Sequence, residues 1–356
     1  MSVPREEEAQ GGLLAALVSA AVLIAIVLLF TRGAPLPKPK AADALATEFS
    51  AERAHTILEE ICREPHPVGS PALRGVQSVL VDRLVDLGFE PEIQERSVEY
   101  SWWPTGARRQ ADLVNLWVEV RGTHQESLGA VFVCHYDSRE GSPGATDDGA
   151  AVATFLEVLS ALKARPALPR TIAFLFTDGE EAGLLGAEAF CSEEEEGEWG
   201  RRRDRMLRSL AVFNFDAIGN AGPSILFETA KDSGPLVAEL PLALDRVYAS
   251  SLGPTVYERM PNGTDFTIFK DGGARGLNSP VVGGKGAYHA PFDVPANQPL
   301  GVLQCQGDTV LGLATHFGSL PLWRERMIKK GGERVFFDLF GYGFVHYRAD
   351  LNAVLG

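Results

Sequence analysis

The sequence predicts an α/β protein with a mixed, mostly parallel twisted sheet flanked by helices, preceded by one N-terminal transmembrane helix. Short apolar segments alternate with segments whose apolar residues recur at helical spacing. The segments AVFVCHY (130–136) and TIAFLFT (171–177) are almost continuously apolar, which is typical of strands covered by helices on both faces. A run of nineteen uncharged residues lies near the N-terminus.

This uncharged run, GLLAALVSAAVLIAIVLLF, is long enough to cross a bilayer as a helix. A signal peptide would have a shorter apolar stretch, a basic start and a small-residue cleavage site, whereas this run follows acidic residues. We therefore expect a tail over 1–11, a retained transmembrane anchor over 12–30 and a Pro-rich linker over 31–45. Lys and Arg residues after the run weakly favour a cytoplasmic position for the downstream domain.

The remaining elements follow from apolar periodicity and run length. Helices are predicted over residues 51–62, 71–87, 149–163, 183–190, 236–250 and 300–316. Strands are predicted over residues 92–100, 113–120, 130–135, 171–176, 211–215 and 224–227. In an alternating α/β arrangement of this kind, functional residues collect at the carboxyl ends of the strands.

Composition excludes some functions and leaves others open. The formal net charge of -14 argues against a nucleic-acid partner. None of the four cysteines forms a CxxC pair, so a structural zinc site on thiolates is not expected. Cys134 lies in an apolar run and is predicted to be buried. Cys191 could pair with Cys62 or Cys305 in an oxidising compartment, although nothing in the sequence requires it.

Acidic and imidazole side chains follow the predicted strands where an apolar core has no use for them. The set is His135, Asp137, Asp147, Asp148, Glu180, Glu181 and Asp216, with His289 further along in AYHAPFD. Each could be an isolated surface residue. Clustered carboxylates, however, repel one another and are costly to bury unpaired, so a cluster at the strand ends requires a cation. Imidazole and carboxylate ligands without thiolate suit zinc, with cobalt or manganese as alternatives.

Five pieces occur in one order: HYDS (135–138), SPGATDDGAA (142–151), FTDGEEAGLLGA (176–187), FNFDAIG (213–219) and YHAPFDV (288–294). In these pieces the chain closely resembles metallopeptidase family 28, which contains the co-catalytic zinc aminopeptidases and their carboxypeptidase relatives. The resemblance covers about residues 50–320. It implies a zinc aminopeptidase-like fold and a peptidase domain with two zinc ions over residues 46–325.

The resemblance also implies roles for individual residues. One zinc is expected on His135 and Asp216, the other on Glu181 and His289, with Asp147 bridging them and Asp137 orienting His135. The peptide bond between Asp147 and Asp148 is expected to be cis. Glu180 is expected to be the general base: it takes a proton from a metal-activated water and passes it to the leaving amine.

A narrower resemblance rests on PNGTDFTIFKD (261–271) and ERVFFDLFGYGFVHY (333–347). These segments look like the endoplasmic reticulum metallopeptidase and vacuolar membrane protease group. The group implies an extracytoplasmic peptidase domain, against the weak charge bias, and further membrane helices. Residues 326–356 are then expected to be a C-terminal tail at the start of a membrane region that this chain lacks. Asp265 and Tyr288 are candidates for substrate contact, although both could equally be structural.

The expected function is that of a membrane-anchored, zinc-dependent exopeptidase, an aminopeptidase first of all. Its expected partners are a peptide substrate and, through residues 12–30, a lipid bilayer; the sequence leaves the oligomeric state open. A two-zinc carboxypeptidase or dipeptidase is the nearest alternative, because Lys270, Arg275 and Lys285 could bind a free carboxylate. A single-zinc glutaminyl cyclase, a non-catalytic receptor domain and an integral-membrane transport or assembly protein are further alternatives. No expected ligand is substituted, which argues against the receptor.

Overall fold

A seven-stranded mixed sheet forms the centre of the protein. The structure, a computed structural model, describes residues 34–102 and 105–352; Leu36–Gly356 form one compact unit. The strands are β1 (Glu92–Trp102), β2 (Ala107–Val120), β3 (His124–His135), β4 (Arg170–Thr177), β5 (Ala211–Asn214), β6 (Ala221–Ser224), β7 (Glu228–Thr229), β8 (Gly276–Asn278) and β9 (Val281–Gly283). Two further strands, β10 (Arg334–Asp338) and β11 (Phe344–Arg348), form a separate hairpin.

The spatial order of the central sheet is β1-β2-β4-β3-β5-β8-β7. The four inner strands β4, β3, β5 and β8 are parallel. The antiparallel strands β1 and β2 complete one edge, and β7 completes the other. The predicted fold class, a mixed and mostly parallel sheet between helices, is confirmed.

Ten α-helices accompany the strands in the described part of the chain. They are α1 (Ala51–Ile61), α2 (Pro71–Asp86), α3 (Ala150–Lys163), α4 (Leu185–Cys191), α5 (Gly197–Leu207), α6 (Gly234–Ala243), α7 (Leu252–Tyr257), α8 (Asp265–Asp271), α9 (Leu300–Ser319) and α10 (Leu322–Lys329). Serine side chains cap the N-termini of α1 and α2. Those of Ser50 and Ser70 accept hydrogen bonds from the N–H groups of Arg53 and Leu73 at 3.2 and 3.0 Å.

The core has a layer on each face of the sheet. On one face Phe132 stacks between Phe174 and Phe213, with ring centroids 5.2 and 5.3 Å apart, and α3 packs against α1 and α9 over this layer. On the other face Trp117 stacks on Phe190 of α4 at 5.8 Å. Helices on both faces explain why the inner strands are apolar throughout.

Two predicted elements are wrong. Residues 224–227 do not form one strand: Ser224 ends β6, and Leu226 makes an isolated bridge to Ala249. The N–H groups of residues 225 and 227 bond instead to Pro280 and to Asn278, the last residue of β8. The helix predicted over 236–250 ends at Ala243, and Leu244 is extended. Residues beyond it are drawn into bridges with Leu226 and Phe337 rather than into a helical turn.

Some expectations concern the chain ends and the cysteines. The anchor predicted over 12–30 lies outside the described residues, and within them no helix is long and apolar enough to cross a bilayer. Residues 326–356, predicted as a tail, contribute the end of α10 and the β10–β11 hairpin to the compact unit. All four cysteines are free, and Cys134 is buried as predicted.

Candidate metal centre

The five expected ligands meet at the carboxyl ends of the inner strands. His135 is the last residue of β3, Glu181 follows β4 and Asp216 follows β5. Two loops bring Asp147 and His289 to the same point. The structure therefore brings together all five residues that were expected to bind metal, because parallel strands deliver their following loops to one edge of the sheet.

The ligand atoms form two groups that share Asp147. One group is His135, Asp147 and Asp216, the other is Asp147, Glu181 and His289, and within each group the ligand atoms lie within 4.8 Å of one another. The Oδ1 atom of Asp147 lies 3.2 Å from Nε2 of His135, and its Oδ2 atom lies 3.1 Å from Nε2 of His289. One carboxylate thus faces both groups, as a bridging ligand must.

The donor atoms fit a bound cation better than they fit one another. Nε2 of His289 lies 2.9 Å from Oε1 of Glu181, yet these two buried atoms lack a hydrogen-bond partner. Buried polar atoms are rarely left unpaired in proteins. Two imidazoles and three carboxylates without thiolate match the ligand preferences of zinc.

Negative charge is concentrated here. Burial, together with the charge of Asp147, raises the pKa of Asp216 well above its ordinary value, although His135 opposes this. Partial burial and Asp216 likewise raise the pKa of Glu180. Asp147 differs: burial acts to raise its pKa, but its contacts with His135 and His289 outweigh this and lower it to about 2. Without a cation these carboxylates cannot all stay ionised at low cost, which is the electrostatic reason to expect one.

Three carboxylates that lie outside the two ligand groups hold the ligand loops through their main chain. Asp137 accepts the N–H groups of Glu180 and Glu181 at 2.9 and 3.2 Å. Asp148 accepts the N–H of His135 at 3.3 Å. Asp293 accepts the N–H groups of Thr146 and Asp147 at 2.9 and 3.4 Å. We call Asp137, Asp148 and Asp293 the clamp carboxylates; each lies on one ligand loop and holds a different one.

The loop that carries Asp147 is tightly folded. The peptide bond between Asp147 and Asp148 is cis, as the family resemblance implies, and lies in the turn Ala145–Gly149, where both residues have non-helical backbone angles. Gly144 precedes the turn with φ 69°, and a Cβ there would meet the backbone oxygen of Asp147 at 2.8 Å. Glycine is therefore required at this position of SPGATDDGA.

The remaining predicted residues have distinct environments. Nδ1 of His135 lies 3.3 Å from Oδ1 of Asp137 and 3.1 Å from its backbone oxygen, so Asp137 is placed to orient the ring. Glu180 is partly exposed beside the ligand Glu181. Tyr288 is 39% exposed, with its ring 3.7 Å from that of His289. Asp265 is 2% exposed and bonded to Thr177, so it supports the site from inside the fold.

Sequence reasoning missed three residues at the site. Asp293 belongs to the motif that contains His289 but had no assigned role. Arg139 donates to the backbone oxygen of Glu181 at 3.1 Å and lies 3.6 Å from its carboxylate. Tyr257 lies close enough to Glu228, Asp216 and Glu180 that burial and their negative charge raise its pKa. Arg139 adjoins the HYDS motif and could have been noticed, whereas Tyr257 has no local signal.

Comparison with known proteins supports a peptidase family. The model of "Peptidase family M28" matches residues 115–314. The chain is 29% identical over 303 residues to vacuolar membrane protease of Schizophyllum commune, covering 82% of this chain and 32% of the relative. It is 27% identical over 226 residues to endoplasmic reticulum metallopeptidase 1 of Homo sapiens, covering 62% and 24%. The chain therefore spans about a quarter to a third of the length of these relatives.

Solved structures share the fold. An aminopeptidase from Aneurinibacillus sp. strain AM-1 aligns with a TM-score of 0.62 at 13% identity, covering 79% of this chain and 97% of its own. A zinc aminopeptidase from Bacillus subtilis gives 0.60 at 14%, covering 75% and 95%. A glutaminyl cyclase from Fimbriiglobus ruber gives 0.59 at 18%, covering 79% and 99%. Because the identities are low, these alignments show the fold alone.

Proposed function

The chain belongs to peptidase family M28, and from that premise we propose that it is a two-zinc aminopeptidase that removes residues from the N-termini of peptides. One observation carries the proposal: two groups of potential ligands share the Asp147 carboxylate, beside a partly exposed glutamate that belongs to neither group. This arrangement separates the groups that hold metal from the group that moves a proton.

His135 and Asp216 would hold one zinc, Glu181 and His289 the other, and Asp147 both. When bound, the two ions activate a water molecule and polarise the scissile carbonyl. Glu180 takes the proton of the attacking water and delivers it to the leaving amine. Asp137 holds the N–H groups of both Glu180 and Glu181, so the base and its neighbouring ligand keep a fixed separation.

The charges around the site favour a substrate with a free amine. Of the three cations that could have bound a free carboxylate, Lys270 is paired with Glu228 at 2.7 Å and Arg275 donates to the backbone oxygen of Lys329. The third, Lys285, is exposed four residues before His289. The site itself is rich in carboxylates, which attract an ammonium group. We propose that Tyr288, exposed beside His289, contacts the substrate side chain, and that Asp265 supports the pocket wall through Thr177.

One observation favours a second candidate, a carboxypeptidase or dipeptidase. The guanidinium of Arg139 lies at the site, 3.6 Å from the carboxylate of Glu181, and its side chain is 28% exposed. A guanidinium in this position could also bind the free carboxylate of a peptide. The experiment below therefore tests both ends of the substrate.

Membrane attachment is part of the proposal. The uncharged run over 12–30 would anchor the chain, and two relatives are named for the vacuolar membrane and the endoplasmic reticulum. These names support a membrane location for the peptidase domain. A peptide substrate and a bilayer are thus the proposed partners.

The test uses the full chain purified in detergent. Metal content is measured, and hydrolysis is followed on aminoacyl amides with free or acetylated amines, on dipeptides with free or amidated carboxylates, and on an N-terminal glutaminyl peptide. If the protein binds two zinc ions and cleaves only substrates with a free amine, the aminopeptidase proposal is supported. A requirement for a free carboxylate moves the assignment to the second candidate. Cyclisation of the glutaminyl peptide without hydrolysis, or absence of bound metal, refutes the proposal.

A further inference from the structure

One face of α10 exposes large apolar side chains beside basic ones. Leu322, Trp323 and Met327 are 53%, 61% and 57% exposed. Trp323, Arg326, Met327 and Lys330 recur at the spacing that places helical residues on one face. Single exposed apolar residues are ordinary, but a contiguous group of them marks an interaction site.

The β10–β11 hairpin has an exposed apolar face of its own. Phe337 pairs with Val345 in the antiparallel register, so both side chains point to the same face; they are 40% and 37% exposed. At the turn, Leu339 and Tyr342 are 49% and 68% exposed. The opposite face of the hairpin turns Phe336, 5% exposed, into the core.

The two elements are neighbours. A cleft of about 870 Å³ lies between them, lined by Met327 and Lys330 on one side and by Arg334 and Arg348 on the other, with acidic side chains such as Asp232 and Asp350 also in its wall. The two arginines lie on the face of the hairpin that carries Phe336, opposite to Phe337 and Val345. We call the exposed face of α10, with Leu322, Trp323, Arg326, Met327 and Lys330, the basic apolar surface.

This surface is firmly held. The buried side chain of Arg170 donates to the backbone oxygen of Leu320 at 2.8 Å and pairs with Glu325 at 3.2 Å. Buried Glu239 accepts two hydrogen bonds from Arg324 at 3.0 and 2.8 Å. The inner side of α10 is therefore anchored at two points, and its apolar side chains are exposed by the fold rather than by local fraying.

The charge of this region is opposite to that of the chain. Residues 322–352 contain six Lys or Arg and four Asp or Glu, whereas the whole chain carries -14. The acidic side chains are engaged: Glu325 pairs with Lys329 as well as Arg170, and Asp350 pairs with Arg348. Glu333 and Asp338 accept backbone N–H groups. In the described part of the chain, Arg326 and Lys330 have no ion pair, so their charge faces outward.

We propose that the basic apolar surface rests on a bilayer containing anionic lipids. Trp, Tyr and Phe side chains suit the boundary between headgroups and acyl chains, and adjacent Lys and Arg attract lipid phosphates. A second copy of this chain fits less well. A symmetric dimer through this face would bring Arg326 and Lys330 close to their own counterparts, and like charges oppose such pairing.

The contact has a consequence for the substrate. Arg170 begins β4, so α10 lies at the amino ends of the parallel strands, whereas the metal centre lies at their carboxyl ends. A domain that rests on α10 keeps its metal centre in the aqueous phase. The substrate class is then soluble peptides rather than chains still embedded in the membrane.

Fluorescence quenching tests the contact with the full chain. Wild type and Trp323→Phe are placed in nanodiscs of phosphatidylcholine alone or with phosphatidylglycerol, with lipids brominated near the headgroups. The difference between the two proteins reports Trp323, and the signal remaining in Trp323→Phe includes the core residue Trp117 as an internal control. We expect strong quenching of the Trp323 component in the anionic discs.

Charge reversal supplies the second arm. Arg326→Glu with Lys330→Glu should lower the quenching of Trp323 about twofold or more, because it replaces attraction by repulsion at the lipid surface. An unquenched Trp323 in every disc overturns the proposal. Equal quenching in neutral and anionic discs overturns the anionic-lipid assignment. A dimer that protects Trp323 from both lipid and aqueous quenchers assigns the surface to a second copy instead.

Discussion

The two edges of the parallel strands depart from ordinary burial in opposite ways. At the carboxyl edge, charged side chains are buried: Asp147 and Asp216 are 4% and 8% exposed. At the amino edge, apolar side chains are exposed, with Trp323 at 61%. Buried charge and exposed apolar surface are the two departures from ordinary burial that carry information. The first favours a bound cation, and the second favours an apolar partner.

Both edges are rigid, but for different reasons. The clamp carboxylates hold the ligand loops through main-chain N–H groups, so the metal centre depends on hydrogen bonds among the loops themselves. The basic apolar surface is held from behind by the side chains of Arg170 and Glu239. Substitutions at one edge should therefore leave the other unaffected.

The largest expected effect comes from removing the proton carrier. Glu180→Gln should lower kcat by about 10²–10⁴-fold, the usual contribution of a general base. Bound zinc should be unchanged, because Glu180 belongs to neither ligand group. Metal analysis and steady-state kinetics provide the measurement. Glu188→Gln, an exposed change on the neighbouring helix α4, is the matched control and should retain full activity. Loss of metal in Glu180→Gln would instead make Glu180 a ligand.

The next largest expected effect is a loss of zinc affinity that differs between the two ligand groups. Asp293→Asn removes one of the two acceptor oxygens that hold Thr146 and Asp147 to the loop of His289. We expect zinc affinity at the group of Asp147, Glu181 and His289 to fall about 10–100-fold, the usual effect of losing a support residue. Affinity at the other group should fall less. Titration of the metal-free protein with zinc measures both.

Glu157→Gln is the control for Asp293→Asn. Glu157 is also buried and accepts a main-chain N–H, that of Ser50, but lies away from the ligands. Glu157→Gln should lower the free energy of unfolding without changing the affinity for zinc. Equal weakening of both zinc sites in Asp293→Asn would show a general loss of structure rather than a positioning role.

The sequence predicted the carboxyl edge far better than the amino edge. Ligands such as His135, Asp216 and Glu181 follow apolar strands directly, and a strand end fixes where its next residues lie. Tyr257 could not be predicted, because it reaches the site from a short helix with no neighbouring motif. Only the three-dimensional path of the chain shows that Arg275 faces Lys329, far from the metal centre.

The exposed apolar residues of the amino edge could not be predicted, because their exposure depends on how distant parts of the chain pack. Residues 326–356 were expected to lie at the start of a membrane region, because the segment 333–347 resembles a group whose peptidase domain is followed by membrane helices. The structure pairs these residues in a hairpin whose two faces differ: Phe336 is buried and Phe337 is exposed. Alternation of this kind follows from strand geometry once the register is known. The domain boundaries at 46 and 325 remain predictions.

A smaller effect is expected at the anchor of α10. His316 and Arg324 contact Glu239, and although burial opposes them they lower the pKa of its carboxyl below the ordinary 4.5. A depressed folded-state pKa adds stability above the unfolded value, which is lost as the pH falls through the folded value. Glu239→Gln should thus lower the free energy of unfolding by about 1–3 kcal/mol at pH 7 and by less below pH 4.5. Denaturant unfolding across this range measures it; a pH-independent loss would contradict the electrostatic origin.

The smallest effect is an expected absence of change, and it tests whether the two edges are independent. Arg326→Glu with Lys330→Glu alters only exposed side chains that have no ion pair in the described residues, so the free energy of unfolding should move by less than about 0.5 kcal/mol. In detergent, where no lipid surface is present, kcat/KM on soluble peptides should stay within about twofold, because α10 contributes no side chain to the metal centre. A larger loss in detergent would mean that the basic apolar surface communicates with the ligand loops through the sheet. Unchanged activity in detergent, together with weaker Trp323 quenching in anionic discs, would assign membrane contact and catalysis to opposite ends of the same strands.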